Sequence, residues 1–166
     1  MARRTREAFI WTVGILRKRG IPFQIQGGFA ARIYGSRRPL ADIDIGIPDS
    51  RLSEILPDVR SHIIYGPKRY VDGSFDLLLM TLKYKGQEID VFGATNGKLF
   101  ELKSGKWVNV KFKLEDSTMK SVYGLKVPVI GKKGLIQYKK KLQRDVDVED
   151  VRQLEKIRIP FFTAAQ

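Results

Sequence analysis

FQIQGGFAARIYGSRRPLADIDIGIP, Phe23 to Pro48, sets the architecture of this chain. The alternating run Ile21 to Gln26 reads as a short strand, GGFAARIYG as a helix opened by Gly27 and Gly28, and ADIDIGI as a second strand closed by Pro48. Residues two apart on a strand project from one face. Asp42 and Asp44 therefore present both carboxylates together, roughly 6 to 7 Å apart by the strand rise, while Ile43 and Ile45 turn the opposite way into the core. Two like charges so placed must be exposed, shifted in pKa, or bridged by a cation. Hard divalent ions such as Mg²⁺ take oxygen ligands of this kind together with substrate phosphates.

A third carboxylate lies further along. SFDLLLMTLKYKGQEIDVFGA, Ser74 to Ala94, reads as two strands joined at Lys85-Gly86, the first apolar enough to lie centrally in a sheet. Asp90 sits between apolar neighbours on the second. If that strand pairs in register with ADIDI, Asp90 joins Asp42 and Asp44. Three carboxylates hold two metal ions, or one metal plus a general base, for in-line attack on a phosphoryl group. Gly27 and Gly28 supply the complementary half, since free backbone amides and the positive helix end attract phosphate oxygens. Arg32, Arg37 and Arg38 stand next to the acidic strand to neutralise phosphate charge, although a helix-surface arginine such as Arg32 needs no ligand.

The rest of the chain reads as one domain over residues 1–166, with no repeat or linker. TREAFIWTVGILRKRG, Thr5 to Gly20, carries Phe9, Ile10, Val13 and Leu16 at helical spacing, with Thr5 as cap and Gly20 as stop. Ser50 reads as the N-cap of a short helix from Leu52 to Val59 that Pro57 bends or ends. Gly97 to Val127 reads as short strands and turns. Two helices follow over about 131–157, the second capped by Asp147. Lys139 to Lys141 reads as a solvated helix face, and Asp145, Asp147 and Asp150 as caps and solvated charges. His62, the one histidine, reads as structural or exposed, and Trp11 and Trp107 as packing residues, although an exposed tryptophan can stack a base.

Cysteine is absent, so thiolate zinc sites and cysteine nucleophiles are excluded, and any metal must sit on carboxylates. No apolar run reaches the roughly 18 residues of a membrane span, which points to a soluble, cytoplasmic protein. Lys and Arg number 31 against 18 Asp and Glu, a net charge of +13. That balance favours polyanionic partners such as nucleic acid or nucleotides, or marks a solvated lysine-rich face, or a thermophilic source.

A Gly-Gly pair, 13 residues, Asp-apolar-Asp-apolar and a later apolar-Asp-apolar together resemble the nucleotidyltransferase superfamily that includes DNA polymerase beta. More narrowly, GGFAARIYGSRRPLADIDI with GLIQYKKKLQRDVDVEDVRQL is similar to the small single-domain group related to lincosamide and aminoglycoside nucleotidyltransferases and to the nucleotidyltransferase toxins of abortive-infection systems. The resemblance spans about Phe9 to Leu154, and its specific part is Gln26 to Ile45 plus Ile89 to Val91. It implies an α/β chain of α+β type, with a mixed central sheet flanked by helices. It also implies that Asp42 and Asp44 ligate Mg²⁺, two ions with Asp90, that Asp90 is a ligand or base, and that Gly27 and Gly28 hold a nucleoside triphosphate (NTP). Arg38 falls where the narrower group carries an arginine four residues before the first aspartate. Pro39, Leu40 and Ala41 stand where that group commonly has a threonine. Asp147 and Asp150 correspond to a late lysine-aspartate step, here without a lysine before Asp147. Lys139 and Arg144 are candidates to reach the triphosphate.

Three functions follow from these readings. The first is nucleotidyl transfer from NTP to a hydroxyl or phosphate acceptor. The second is an RNA-binding or toxin-antitoxin component whose acceptor is a tRNA end. The third is a degenerate protein that binds nucleotide or a partner without turnover. A chain of this length leaves little beyond a catalytic unit and two helices, so an open site, a homodimer interface or a partner protein completes the pocket.

Overall fold

Ala8, Phe9, Val13 and Leu16 fall on one stripe of helix α1 (Arg3–Lys18), and all four are fully buried in the computed structural model, which describes residues 2–157. Burying each large member of that stripe is worth about 1.5–3 kcal/mol. Thr5 is not the cap expected from the sequence. The helix starts at Arg3, and Thr5 lies inside it, buried, donating its hydroxyl to Gln87 Oε1 at 2.7 Å. Gln87 in turn donates to the Ala41 carbonyl at 3.0 Å, which ties the helix start to the loop before the acidic strand. Gly20, at φ +61°, ends the helix as expected.

Strand β1 (Gln24–Gln26), helix α2 (Gly27–Ile33) and strand β2 (Asp42–Ile47) follow. A 3₁₀ segment, Asp49–Ile55, leads into a single helical turn, α3 (Leu56–Val59). Ser50 does not cap it: the 3₁₀ segment begins at Asp49, directly after Pro48, and contains Ser50. Six further strands are β3 (Ile63–Val71), β4 (Phe75–Tyr84), β5 (Gln87–Gly93), β6 (Gly97–Glu101), β7 (Lys106–Val110) and β8 (Ser117–Val122). Strand β9 (Leu125–Ile130) completes the sheet, and helices α4 (Lys132–Leu142) and α5 (Asp145–Lys156) end the described chain.

Among the described residues the strands form one mixed sheet in the order β7-β6-β4-β5-β2-β1-β9-β8, with β3 paired to β4. The pairs β2–β5 and β1–β9 are parallel and the remainder antiparallel. Strand β4, flanked by β3, β5 and β6, holds the central place its apolar sequence implies. One face of the sheet, carrying Ile43, Ile45, Met80, Leu82, Ile89 and Val91, is fully buried in a core shared with α1. Trp11 stacks on Tyr84 at 4.4 Å and lies 4.8 Å from His62, so both residues serve packing.

The opposite face carries Gln24, Gln26, Asp42, Asp44, Thr81 and Asp90, placed together by strand register. Helix α5 begins after Arg144, not Asp147, which lies within the helix. No helix among the described residues is long and apolar enough to cross a membrane.

Candidate active site

Strand alternation and two registers assemble the acidic cluster. Parallel pairing sets Asp44 opposite Asp90, and Asp42 projects from the same face two residues earlier. One carboxylate oxygen from each of Asp42, Asp44 and Asp90 lies within 4.8 Å of the other two. This donor set is all hard oxygen and holds no imidazole or thiolate, so it fits Mg²⁺ better than zinc or a softer ion. The cluster lines a cleft of about 540 Å³, together with Gly27, Gly28, Arg38, Lys139 and Arg144.

Burial lifts the Asp44 carboxyl to about 8, with the charges of Asp42 and Asp90 adding to it and Lys139 and the Gly28 amide opposing. Asp90 is pushed up to about 6, by burial first; the Thr81 hydroxyl at 2.6 Å opposes this and the charge of Asp42 adds to it. Asp42 is raised as well, chiefly by burial. All three shifts have the sign that a bound cation would reverse.

The glycine pair does something more specific than leave amides free. Gly27 sits at φ +58°, and a Cβ there would overlap the Asp44 carboxylate. Gly28 donates its amide to Asp44 Oδ2 at 3.1 Å, and a Cβ on it would press on the Arg38 guanidinium. The pair thus lets the start of α2 approach both the Asp44 carboxylate and Arg38. Gly27→Ala is expected to destabilise the protein by about 1–3 kcal/mol, from the left-handed backbone and the displaced Asp44. Urea unfolding would measure this, and a loss below about 0.5 kcal/mol would contradict the close approach.

The basic side of the cleft rests on two carboxylates that the sequence reading took for caps and solvated charges. Asp147 and Asp150 are instead fully buried. Lys139, read as part of a solvated face, is 2% exposed and bonds Asp147 at 2.9 Å and Asp150 at 3.0 Å. Arg38 donates Nε and Nη2 to Asp150, both at 3.1 Å, and Ser36 adds its hydroxyl at 2.8 Å. Arg144 grips Asp147 at 2.7 and 3.2 Å. Burial raises both carboxylates, but Arg144 and Lys139 bring Asp147 below its usual range, and Arg38, Ser36 and Lys139 do the same for Asp150. Of the five guanidinium hydrogens of Arg38, three are committed to Asp150 and the Pro39 carbonyl; of the three ammonium hydrogens of Lys139, two are committed. The remainder are available to an anion in the cleft.

Arg37 does not line the cleft; its side chain is exposed and its backbone amide donates to Gln153 Oε1 at 2.6 Å. Arg32 spans to the Arg38 carbonyl at 3.0 Å and acts as a strut for that loop. Thr81 and Tyr138 were not singled out from sequence. Thr81 orients Asp90, and Tyr138 lines the cleft with its ring against Phe112 at 5.3 Å.

No protein-family model matches the chain, and no curated protein matches it by sequence. Solved structures do. A candidate nucleotidyltransferase of Thermotoga maritima is 18% identical with a TM-score of 0.70, over 95% of this chain and 97% of that one. A lincosamide antibiotic adenylyltransferase with lincomycin bound is 13% identical with a TM-score of 0.60, over 92% of this chain and 97% of that one. ANT(2'')-Ia, an antibiotic-resistance factor solved in complex with adenylyl-2''-tobramycin, is 14% identical with a TM-score of 0.56, over 91% and 87%. The mixed sheet, its flanking helices and these likenesses together give the chain the nucleotidyltransferase fold.

Proposed function

We propose that the protein is a Mg²⁺-dependent nucleotidyltransferase that moves a nucleoside monophosphate from an NTP to an acceptor hydroxyl. The observation that carries this reading is the convergence of Asp42, Asp44 and Asp90 within 4.8 Å in a cleft whose other side presents Arg38 and Lys139. Carboxylates alone suit many cations, and cations alone suit many anions. Both within one cleft suit a metal-triphosphate.

Asp42 and Asp44 would hold the ion, with Asp90 as a third ligand or as base. Bound there, Mg²⁺ would supply charge stabilisation at the reacting phosphoryl group. Arg38 and Lys139, held by Asp150 and Asp147, orient the triphosphate with their uncommitted hydrogens. The acceptor oxygen attacks the α-phosphorus, and the bond from that phosphorus to the bridging oxygen breaks. Its electron pair leaves with pyrophosphate. Asp90, aimed by Thr81, takes the acceptor's proton.

With α-labelled NTPs and Mg²⁺, label is expected to pass to a component of a mixed metabolite and RNA pool, with one pyrophosphate released per label transferred and none in chelator. Calorimetry should show NTP binding only with Mg²⁺. Absence of both binding and pyrophosphate release across the four common NTPs would sink the proposal.

A further inference from the structure

Strands β6 and β7 form a hairpin at one end of the sheet, and residues 97–113 hold five lysines against one acid, Glu101. Among the described residues, Lys98, Lys103, Lys106 and Lys111 have no carboxylate within ion-pair distance, and Lys113 meets Asp116 only at 4.0 Å. Elsewhere the cations are more often engaged, as in Lys85 with Glu7, Lys140 with Glu155 and Arg69 with Asp76. Two acids do lie beside this cluster, Asp76 opposite Lys98 and Glu101 opposite Lys106, but the five lysines outnumber them.

The same hairpin exposes apolar and aromatic surface. Register sets Phe100 opposite Trp107 and Lys98 opposite Asn109, all four on one face. Trp107 is 43% exposed, with its ring edge-on to Phe100 at 5.6 Å, and Leu102 in the turn is 53% exposed. Trp11, by contrast, is stacked within the fold. A flat indole held edge-on to a neighbouring ring, on a hairpin rich in lysines, matches the two chemistries of a nucleic-acid strand: bases that stack and phosphates that need cations. Duplex DNA hides its base faces, so the fit is to single strands. The hairpin also borders the cleft, because Gly97, Leu99 and Val110 belong to its lining.

We infer that the β6–β7 hairpin is a binding surface for single-stranded nucleic acid, with Trp107 as stacking platform and Lys98, Lys103, Lys106 and Lys111 as phosphate contacts. Lys98 belongs to the cleft lining, but Trp107, Lys103, Lys106 and Lys111 do not, so binding on them does not depend on nucleotidyl transfer.

The test uses fluorescein-labelled 12-mers of oligo(U) and oligo(dT), without NTP and with chelator, followed by anisotropy between 50 and 200 mM salt. The intact protein is expected to bind and to lose affinity steeply with salt. Lys103→Glu with Lys106→Glu should weaken binding at least about tenfold and flatten the log-log salt slope by about 1.4, at 0.7 per single-strand phosphate contact. Trp107→Ala should weaken oligonucleotide binding and abolish the tryptophan quenching that the strand causes, while leaving binding of heparin, a polyanion without bases, unchanged. Preference for oligo(U) assigns RNA; parity assigns single strands of either sugar. Unaltered affinity in the lysine variant, or an equal effect of Trp107→Ala on heparin and oligonucleotide, overturns the inference. The assay holds neither NTP nor Mg²⁺, so a failure of the catalytic reading leaves this result standing.

Discussion

Asp44→Asn is expected to lower Mg²⁺-dependent nucleotidyl transfer about a thousandfold or more, ~4 kcal/mol of barrier, and at the same time to make the metal-free protein more stable. The two effects have one cause. Three acidic groups share a partly buried pocket, and burial and mutual repulsion lift Asp44 to about 8 and Asp90 to about 6. A carboxyl whose pKa is raised on folding binds its proton more tightly in the folded chain. Its penalty is absent below the unfolded value near pH 4, grows from there up to the folded value, about 6 for Asp90 and about 8 for Asp44, and is complete above it. Asparagine keeps the shape and still accepts from the Gly28 amide but carries no charge. The expected gain is on the order of 2 kcal/mol at pH 8, vanishing toward pH 4. It is smaller than the full shift because one proton shared among the three relieves part of the repulsion. Thermal unfolding in chelator at pH 5 and pH 8 would measure it. Adding Mg²⁺ should then stabilise the parent and not the variant. A variant no more stable than the parent at pH 8 would mean the cluster carries no strain for a cation to relieve.

The acidic half of this site was legible because it rests on rules of period and counting. Alternation in DIDI put Asp42 and Asp44 on one face. A two-residue turn at Lys85-Gly86 fixes the hairpin register, and both residues do take positive φ, 49° and 80°. Counting back from that turn pairs Tyr84 with Gln87 and hence Thr81 with Asp90, as observed. Thr81 could therefore have been read from sequence as the partner of Asp90. Strand β3 could not be read so simply. Its Gly66-Pro67 step resembles a turn, and the strand passes through it only by shifting register against β4 between Ile63 and Lys68.

The basic half was misread for a different reason. Composition made KKK and DVDVED look solvated, yet their spacing said otherwise. Leu135, Lys139 and Leu142 fall at i, i+4 and i+7, and Asp147, Asp150 and Leu154 at i, i+3 and i+7. Each set is one buried stripe of a helix. Charges on two such stripes, one basic and one acidic, are complementary only if the helices meet. The turn that makes them meet passes through Gln143 at φ 52°, a left-handed conformation its side chain does not announce.

Lys139→Ala follows from that arrangement as the largest expected loss of stability. The ammonium group bridges two fully buried carboxylates, on the same helix pair that closes over the cleft. Removing it leaves two charges in a medium that solvates them poorly, and breaking a buried pair from one side costs about 3–5 kcal/mol. The low end applies, because Arg144 still holds Asp147 and Arg38 still holds Asp150. The sign with pH is fixed by the same groups. In the parent both aspartates lie below their usual range, so they favour the fold above the unfolded carboxyl pKa, and lose that contribution only as pH falls through their depressed values. Without Lys139 they are less depressed and take up protons sooner, so the defect should stay constant from pH 8 to about pH 5 and shrink only as pH falls below about 4. Lys139→Met with Asp147→Leu should recover most of the loss. It removes a charge from each side of the pair, and Arg144, 40% exposed, can turn to water. Urea unfolding of the three proteins decides it. A single-variant loss under about 1 kcal/mol would place Lys139 with ordinary surface pairs, and a double variant no better than the single would mean that the damage is lost packing, not uncompensated charge.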